Sequence, residues 1–245
     1  MEGSVSGNER IDDLQYKGLK IIQKKNGFCF GVDSIIIVNF ADIPKASKVL
    51  DIGSGSGIIS VLIAAKTEAS SVTGVEIQSE MAEMAKRSIR MNCLEHKVEV
   101  INEDIKQYTK YTRPSSFDAV VTNPPYIPNG GGIINSSDSK AIAKHEIACS
   151  LDDIVEASAR LLKSCGQLTM IHRVERMTDV FYTMRCKNIE PKFLRMVQPD
   201  VNKAPNLFMV KGTKGGNSGI KVFNPLYIYN QDGSYSDEIN RIYCR

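Results

Sequence analysis

Val49-Leu50-Asp51-Ile52-Gly53-Ser54-Gly55-Ser56-Gly57 decides how the rest of the chain is read: a short apolar strand runs into a glycine-rich turn, and an apolar helical stretch, Ile58 to Lys66, follows at once. Glycines let the backbone approach a ligand closely, and the first turn of the helix presents amide hydrogens that have no intrahelical acceptor. The spacing is GxGxG and not the GxGxxG of a pyrophosphate-binding turn. Asp51, just ahead of the glycines, is poorly placed beside a pyrophosphate and well placed beside a ligand ammonium. Strand, turn and helix in this order open a parallel α/β sheet.

Downstream the pattern repeats. Ser71 to Val75 reads as a strand ending at Glu76, whose carboxylate can accept from both hydroxyls of a ribose. Ser79 can cap a helix to about Asn92, with Met81, Met84, Ala85, Ser88 and Met91 forming a core stripe. Val98 to Ile101 is a third strand, followed by Asp104, which either accepts from the exocyclic amine of an adenine or caps a helix. Phe117 to Thr122 then delivers Asn123-Pro124-Pro125-Tyr126. Two successive prolines lack amide donors and stop both helix and central strand. The turn offers an amide oxygen on Asn123 and a backbone carbonyl on Pro124. Each can accept one hydrogen of a planar amine or amide, which draws the nitrogen lone pair out of conjugation and aims it at an electrophile. Tyr126 can stack on the acceptor's flat face. Asp51, Glu76, Asp104 and Asn123 all fall at strand C-termini, where a parallel sheet collects its ligands.

Around this centre, residues 1–45 read as an extension: a polar arm of about ten residues, a strand from Leu19 to Gln23, and a short helix after a candidate cap at Asp33 or Ser34. Between them Phe28 and Phe30 either face a ligand or fill a satellite core. Residues 46–230 form the main domain. It includes a polar, glycine-bearing loop from Ile127 to Ala148, which suits closure on a substrate. A helix capped by Ser150 runs to about Ser164, a strand covers Gln167 to His172, and a helix runs from Glu175 to about Cys186. Strands follow at Phe193 to Val197 and Asn206 to Val210, with an edge strand over Val222 to Tyr229. Residues 231–245 read as a polar tail.

With 42% hydrophobic and 24% charged residues the composition fits a soluble globular protein, and the net charge of +3 is small. Its distribution is uneven. Arg185, Lys187, Lys192, Arg195, Lys203, Lys211, Lys214 and Lys221 face only Glu190 and Asp200 over the same stretch, which points to a polyanionic partner, with Arg195, Lys203 and Lys211 as candidate contacts. Six cysteines without a CxxC pair and three histidines without ligand spacing fit reduced thiols in a cytoplasm and no metal site. No apolar run is long enough to span a membrane, and no leader pattern opens the chain.

These motifs resemble those of the class I S-adenosylmethionine-dependent methyltransferases, whose Rossmann-like fold has a mostly parallel seven-stranded sheet flanked by helices. The resemblance makes Asp51 to Gly57 the first motif, with Gly53, Gly55 and Gly57 as cofactor contacts. It makes Glu76 the ribose acid, Asp104 the adenine acid, and Asn123 to Tyr126 the amino-methylating motif. Phe30, Ile77, Ile105 and Asn123 itself join the cofactor set. Glu9 to Leu14, Phe30 to Asp33, His145-Glu146-Ile147, His172-Arg173 and Lys214 to Gly216 further resemble the bacterial tRNA(Val) adenine-37 N6-methyltransferases. That likeness implies RNA, a tRNA above all, as partner, with Asn123, Pro124 and Tyr126 catalytic; His145 and His172 have no assigned role. The sulfonium is a strong electrophile, so the reaction calls for no metal. Glutamine N5-methylation of release factors and guanine N2-methylation of ribosomal RNA are the enzymatic alternatives, and an RNA-binding assembly factor is the non-enzymatic one.

Overall fold

The computed structural model describes residues 5–25, 31–124 and 149–243. Phe28, Phe30, Pro125, Tyr126, His145 and the segment 127–148 lie outside the described residues.

The main sheet contains β3 (Lys48–Ile52), β4 (Ser71–Glu76), β5 (Val98–Asn102), β6 (Phe117–Thr122), β7 (Leu162–Arg173), β8 (Ile189–Gln198), β9 (Leu207–Lys214) and β10 (Lys221–Tyr227). Their spatial order is β10-β8-β9-β7-β6-β3-β4-β5, and only β9 runs against its neighbours. The expected seven strands are the run from β8 to β5. The eighth is the edge strand, β10, parallel to β8.

Strands of a two-faced parallel sheet must be apolar on both sides, and β3 illustrates it: Val49 belongs to one buried cluster and Leu50 and Ile52 to the other. On Val49's side pack α1 (Asp33–Ala41), α2 (Ile58–Lys66), α3 (Ser79–Met91) and α7 (Asp237–Ile242). On the opposite side pack α4 (Ile105–Tyr111), α5 (Leu151–Leu161) and α6 (Met177–Cys186). None of these helices is long and apolar enough to cross a membrane.

Several local expectations are corrected. The polar arm already becomes strand at Glu9: β1 (Glu9–Asp13) pairs antiparallel with β2 (Lys20–Lys24). The hairpin is tied to α3 through Arg87 on Glu9 (2.6 and 2.8 Å), Ile22 N–H on Ser88 Oγ (3.0 Å) and Lys20 N–H on Asn92 Oδ1 (2.9 Å). Neither Asp33 nor Ser34 caps α1, nor does Ser79 cap α3; Val32 and Gln78 hold the cap positions without side-chain bonds. Ser150 does cap α5, in a capping box with Asp153. That helix ends at Leu161, short of Ser164, because β7 starts at once and pairs Leu162 with Phe117. The polar tail contains α7, capped by Ser236, which buries Ile239, Ile242 and the following Tyr243 against the sheet.

Candidate active site

Register brings the predicted residues together. Ile52 of β3 pairs with Val75 on one side and Thr122 on the other, so Gly53, Glu76 and Asn123 leave three adjacent strands at one level. Glu76 pairs with Asn102, which places Asp104 two residues further along the same edge. At about 4.8 Å between strands, this rim spans roughly 15 Å, the scale of a nucleoside carrying an amino acid.

The turn after β3 is held by Gly53 and Ser54 N–H groups donating to the Val75 carbonyl (2.9 and 3.2 Å). Gly53, Gly55 and Gly57 all have positive φ, at 72°, 55° and 88°. At Gly57 a second constraint applies, since a Cβ there would stand 3.0 Å from Ala85 Cβ, where α2 starts against α3. Glu76 is 4% exposed. Its Oε2 accepts from Gly55 N–H (2.8 Å) and its Oε1 from Gln78 N–H (2.9 Å), leaving part of a carboxylate's four acceptor sites for a diol. Asn102, a residue the sequence did not single out, donates from Nδ2 to the carbonyls of Glu76 and Ile77 (2.8 and 3.1 Å) and fixes the backbone beneath them. Ile77 is exposed at this rim, whereas the Ile105 side chain is buried in the core under α4 and leaves only its backbone near the edge. Asp104 caps α4, accepting from Lys106 N–H (2.8 Å), which is one of its two sequence readings.

Asp51 is fully buried. Its Oδ2 accepts from Ser60 Oγ on α2 (2.7 Å), and its Oδ1 has no partner among the described residues. Burial pushes its carboxyl up to about 7; Ser60's hydrogen bond opposes this and the charge of Glu76 adds to it. Ser54 Oγ, in the same turn, is also buried without a partner. These orphaned acceptors, with the Glu76 carboxylate, fit a ligand bearing an ammonium and a ribose.

Asn123 and Pro124 sit beside this cradle. Thr122 Oγ1 donates to the Ile52 carbonyl (2.9 Å), pinning the end of β6 to the end of β3 immediately ahead of them. Asn123 is partly buried and Pro124 buried. His172 is 6% exposed, its Nδ1 accepting from Arg173 N–H, and burial holds it down to about 4, so it is a neutral core histidine.

Part of the basic stretch is held by groups from other elements. Arg195 makes a bidentate pair with Glu238 of α7 (2.6 and 2.7 Å). Lys211 is 7% exposed, with Nζ 4.9 Å from the Phe193 ring centre and 3.8 Å from Asp42. Lys187 bridges Asp152 and Glu156, and Lys214 donates to the Leu162 carbonyl. Tertiary partners therefore occupy Arg195 and Lys211, two of the three candidate RNA contacts. Lys203 differs: it stands 67% exposed in the turn after β8, bridged to nearby Asp200 (3.2 Å).

The family model for the methyltransferase small domain matches residues 25–193, well over half of the chain. The chain belongs to this family. It is similar to a tRNA1(Val) (adenine(37)-N6)-methyltransferase of Shewanella halifaxensis, 26% identical, over 90% of this chain and 93% of that protein. A protein of the same name from Aeromonas hydrophila is also 26% identical, over 93% and 94%. A solved structure of a predicted O-methyltransferase from Agrobacterium tumefaciens superimposes with a TM-score of 0.69 at 19% identity, over 86% of this chain and 95% of that one, a likeness of fold. Solved methyltransferases of the same fold carry S-adenosylmethionine or S-adenosylhomocysteine. The chain is a methyltransferase, and its buried acceptors suit that donor.

Proposed function

We propose that this methyltransferase moves a methyl group from S-adenosylmethionine to N6 of an adenine in RNA, adenine 37 of tRNA1(Val) being the intended target. The observation that carries the reading is the placement of Asn123 and Pro124 one strand from the glycine turn and level with Glu76. An amine-orienting pair thus stands where a methyl donor seated over the turn would end. The relatives' substrate agrees with a flat exocyclic amine as acceptor.

The donor supplies the electrophilic methyl; the chain's residues supply position. Glu76 would take the ribose hydroxyls, Asp104 and the Ile77 side chain would flank the adenine, and the turn with Asp51 would receive the amino-acid end. The Asn123 amide oxygen and the Pro124 carbonyl each accept one N6 hydrogen. As the N–C bond forms the C–S bond breaks, and the extra proton on nitrogen passes to water. Tyr126, next but one to Pro124, would stack on the base. An anticodon-loop adenine is weakly stacked, so presenting it costs less than extruding a base from a duplex.

Labelled S-adenosylmethionine, offered with total tRNA, ribosomal RNA and release factor, tests the reading. Label in N6-methyladenine of tRNA is expected, lost with a tRNA1(Val) transcript carrying guanine at position 37. Label in ribosomal RNA or release factor alone would overturn it.

A further inference from the structure

Beneath the glycine turn lies a small cluster of buried polar side chains. Asp51 of β3 pairs in register with Gly74 of β4. A Cβ on Gly74 would stand 3.0 Å from both Cβ and Oγ of Ser54 and 3.1 Å from Ser60 Oγ. Two serines therefore crowd the space beside Asp51, and only a glycine on the neighbouring strand leaves room for them. Ser60 and Asp51 are fully buried and joined at 2.7 Å, whereas Asp51 Oδ1 and Ser54 Oγ are buried without a partner. A buried acceptor without a donor is destabilising. The arrangement spends Oδ2 on Ser60 and keeps Oδ1 for a donor from outside the chain.

We propose that Ser60 is a positioning residue for cofactor loading: it holds Asp51 so that Oδ1 receives the donor's ammonium, and the Asp51 carboxyl loses its proton to solvent as that ammonium arrives. The inference rests on S-adenosylmethionine being the methyl donor. Burial already keeps the carboxyl near neutrality, at about 7, with the Ser60 bond favouring its charged form and Glu76, the charged side chain acting on it, opposing that form. The ammonium enters charged and stays charged; the single proton released is the carboxyl's. Binding must then tighten as pH rises towards 7 and level off above it.

Titration calorimetry on the intact protein from pH 6 to 8.5 tests this, using S-adenosylhomocysteine and 5′-methylthioadenosine, a nucleoside thioether that lacks the amino acid. S-adenosylhomocysteine affinity is expected to climb by up to about tenfold per unit below pH 7. Its heat should vary with buffer ionisation enthalpy, the signature of proton release, while methylthioadenosine binding stays flat. Ser60→Ala should weaken S-adenosylhomocysteine by about tenfold at pH 7 and move the climb to higher pH. It should leave methylthioadenosine unchanged, and Ser60→Thr should restore both. Equal losses for the two ligands in Ser60→Ala, or a flat wild-type profile for S-adenosylhomocysteine, would overturn the proposal. Should wild type bind neither ligand, the methyl-donor reading itself falls, and the proposal with it.

Discussion

Two residues, Asn123 and Asp51, carry the most weight, and they differ in how far sequence alone reveals them. Asn123 announces itself through the prolines behind it. Its proposed work is on the reacting nitrogen, so Asn123→Ala should cut single-turnover methylation by on the order of 10²-fold or more while leaving S-adenosylhomocysteine affinity within a few-fold. Asp51 announces only an acid before glycines. That it is buried, bonded to Ser60 and raised to about 7 depends on α2 folding back over β3. Its stability signature follows. A carboxyl bound more tightly to its proton in the folded state than in the unfolded one, where it titrates near 3.9, makes stability fall as pH rises from about 4 to about 7. His172, held down to about 4, acts oppositely, its contribution being complete above about 6.5 and lost as pH falls towards 4. Comparing Asp51→Asn with wild type cancels the histidine. The variant should gain relative stability between pH 4 and 7, on the order of 3 kcal/mol, then run parallel above; urea melts at pH 4.5, 6, 7 and 8 check this.

Among the elements, βα units were legible because their signals are local: an apolar run, then glycine or an acid, then a helical stripe. β3, β4, β5 and β6 lie within a residue or so of where the sequence puts them. β1 and α7 were not legible, for a shared reason. Glu9-Arg10-Ile11-Asp12-Asp13 and Asp237-Glu238-Ile239-Asn240-Arg241-Ile242 are polar by composition, and what orders them is distant in sequence. For β1 it is Arg87, which holds the buried Glu9 carboxyl down to about 2. Removing the partner of this partly buried pair strands the Glu9 charge and costs roughly 1.5–3 kcal/mol. Arg87→Ala should therefore free the hairpin before the sheet. Hydrogen exchange should rise first at the amides of Glu9 to Asp13 and Lys20 to Lys24, while those of β3 and β6 keep their protection.

At the scale of the whole molecule the same contrast governs charge. Eight basic residues between Arg185 and Lys221 look like a polyanion-binding face when counted along the chain. In the fold, Asp152, Glu156, Glu238 and Asp42 arrive from other elements to meet three of them, Lys187, Arg195 and Lys211. Lys203 remains exposed, in the turn beyond the C-terminal end of β8, the sheet edge that also carries Asn123. Two variants separate the readings. Lys203→Ala should lower the slope of log affinity for tRNA against log salt by up to about one phosphate contact, roughly 0.7. Arg195→Ala should leave that slope unchanged and lower the melting temperature by a few degrees, a bidentate pair at a partly exposed site contributing about 1 kcal/mol. A changed slope in Arg195→Ala alone would return the RNA footprint to the strand. By itself, then, the amino-acid sequence determined the order of the central strands and helices and the strand ends from which Glu76, Asp104 and Asn123 emerge, because hydrophobic periodicity, glycine and proline act within a few residues. Only the tertiary structure decided which charges are paired, which carboxyl is buried and which polar ends are ordered, because these depend on groups far apart in the chain that meet through space once the sheet has formed.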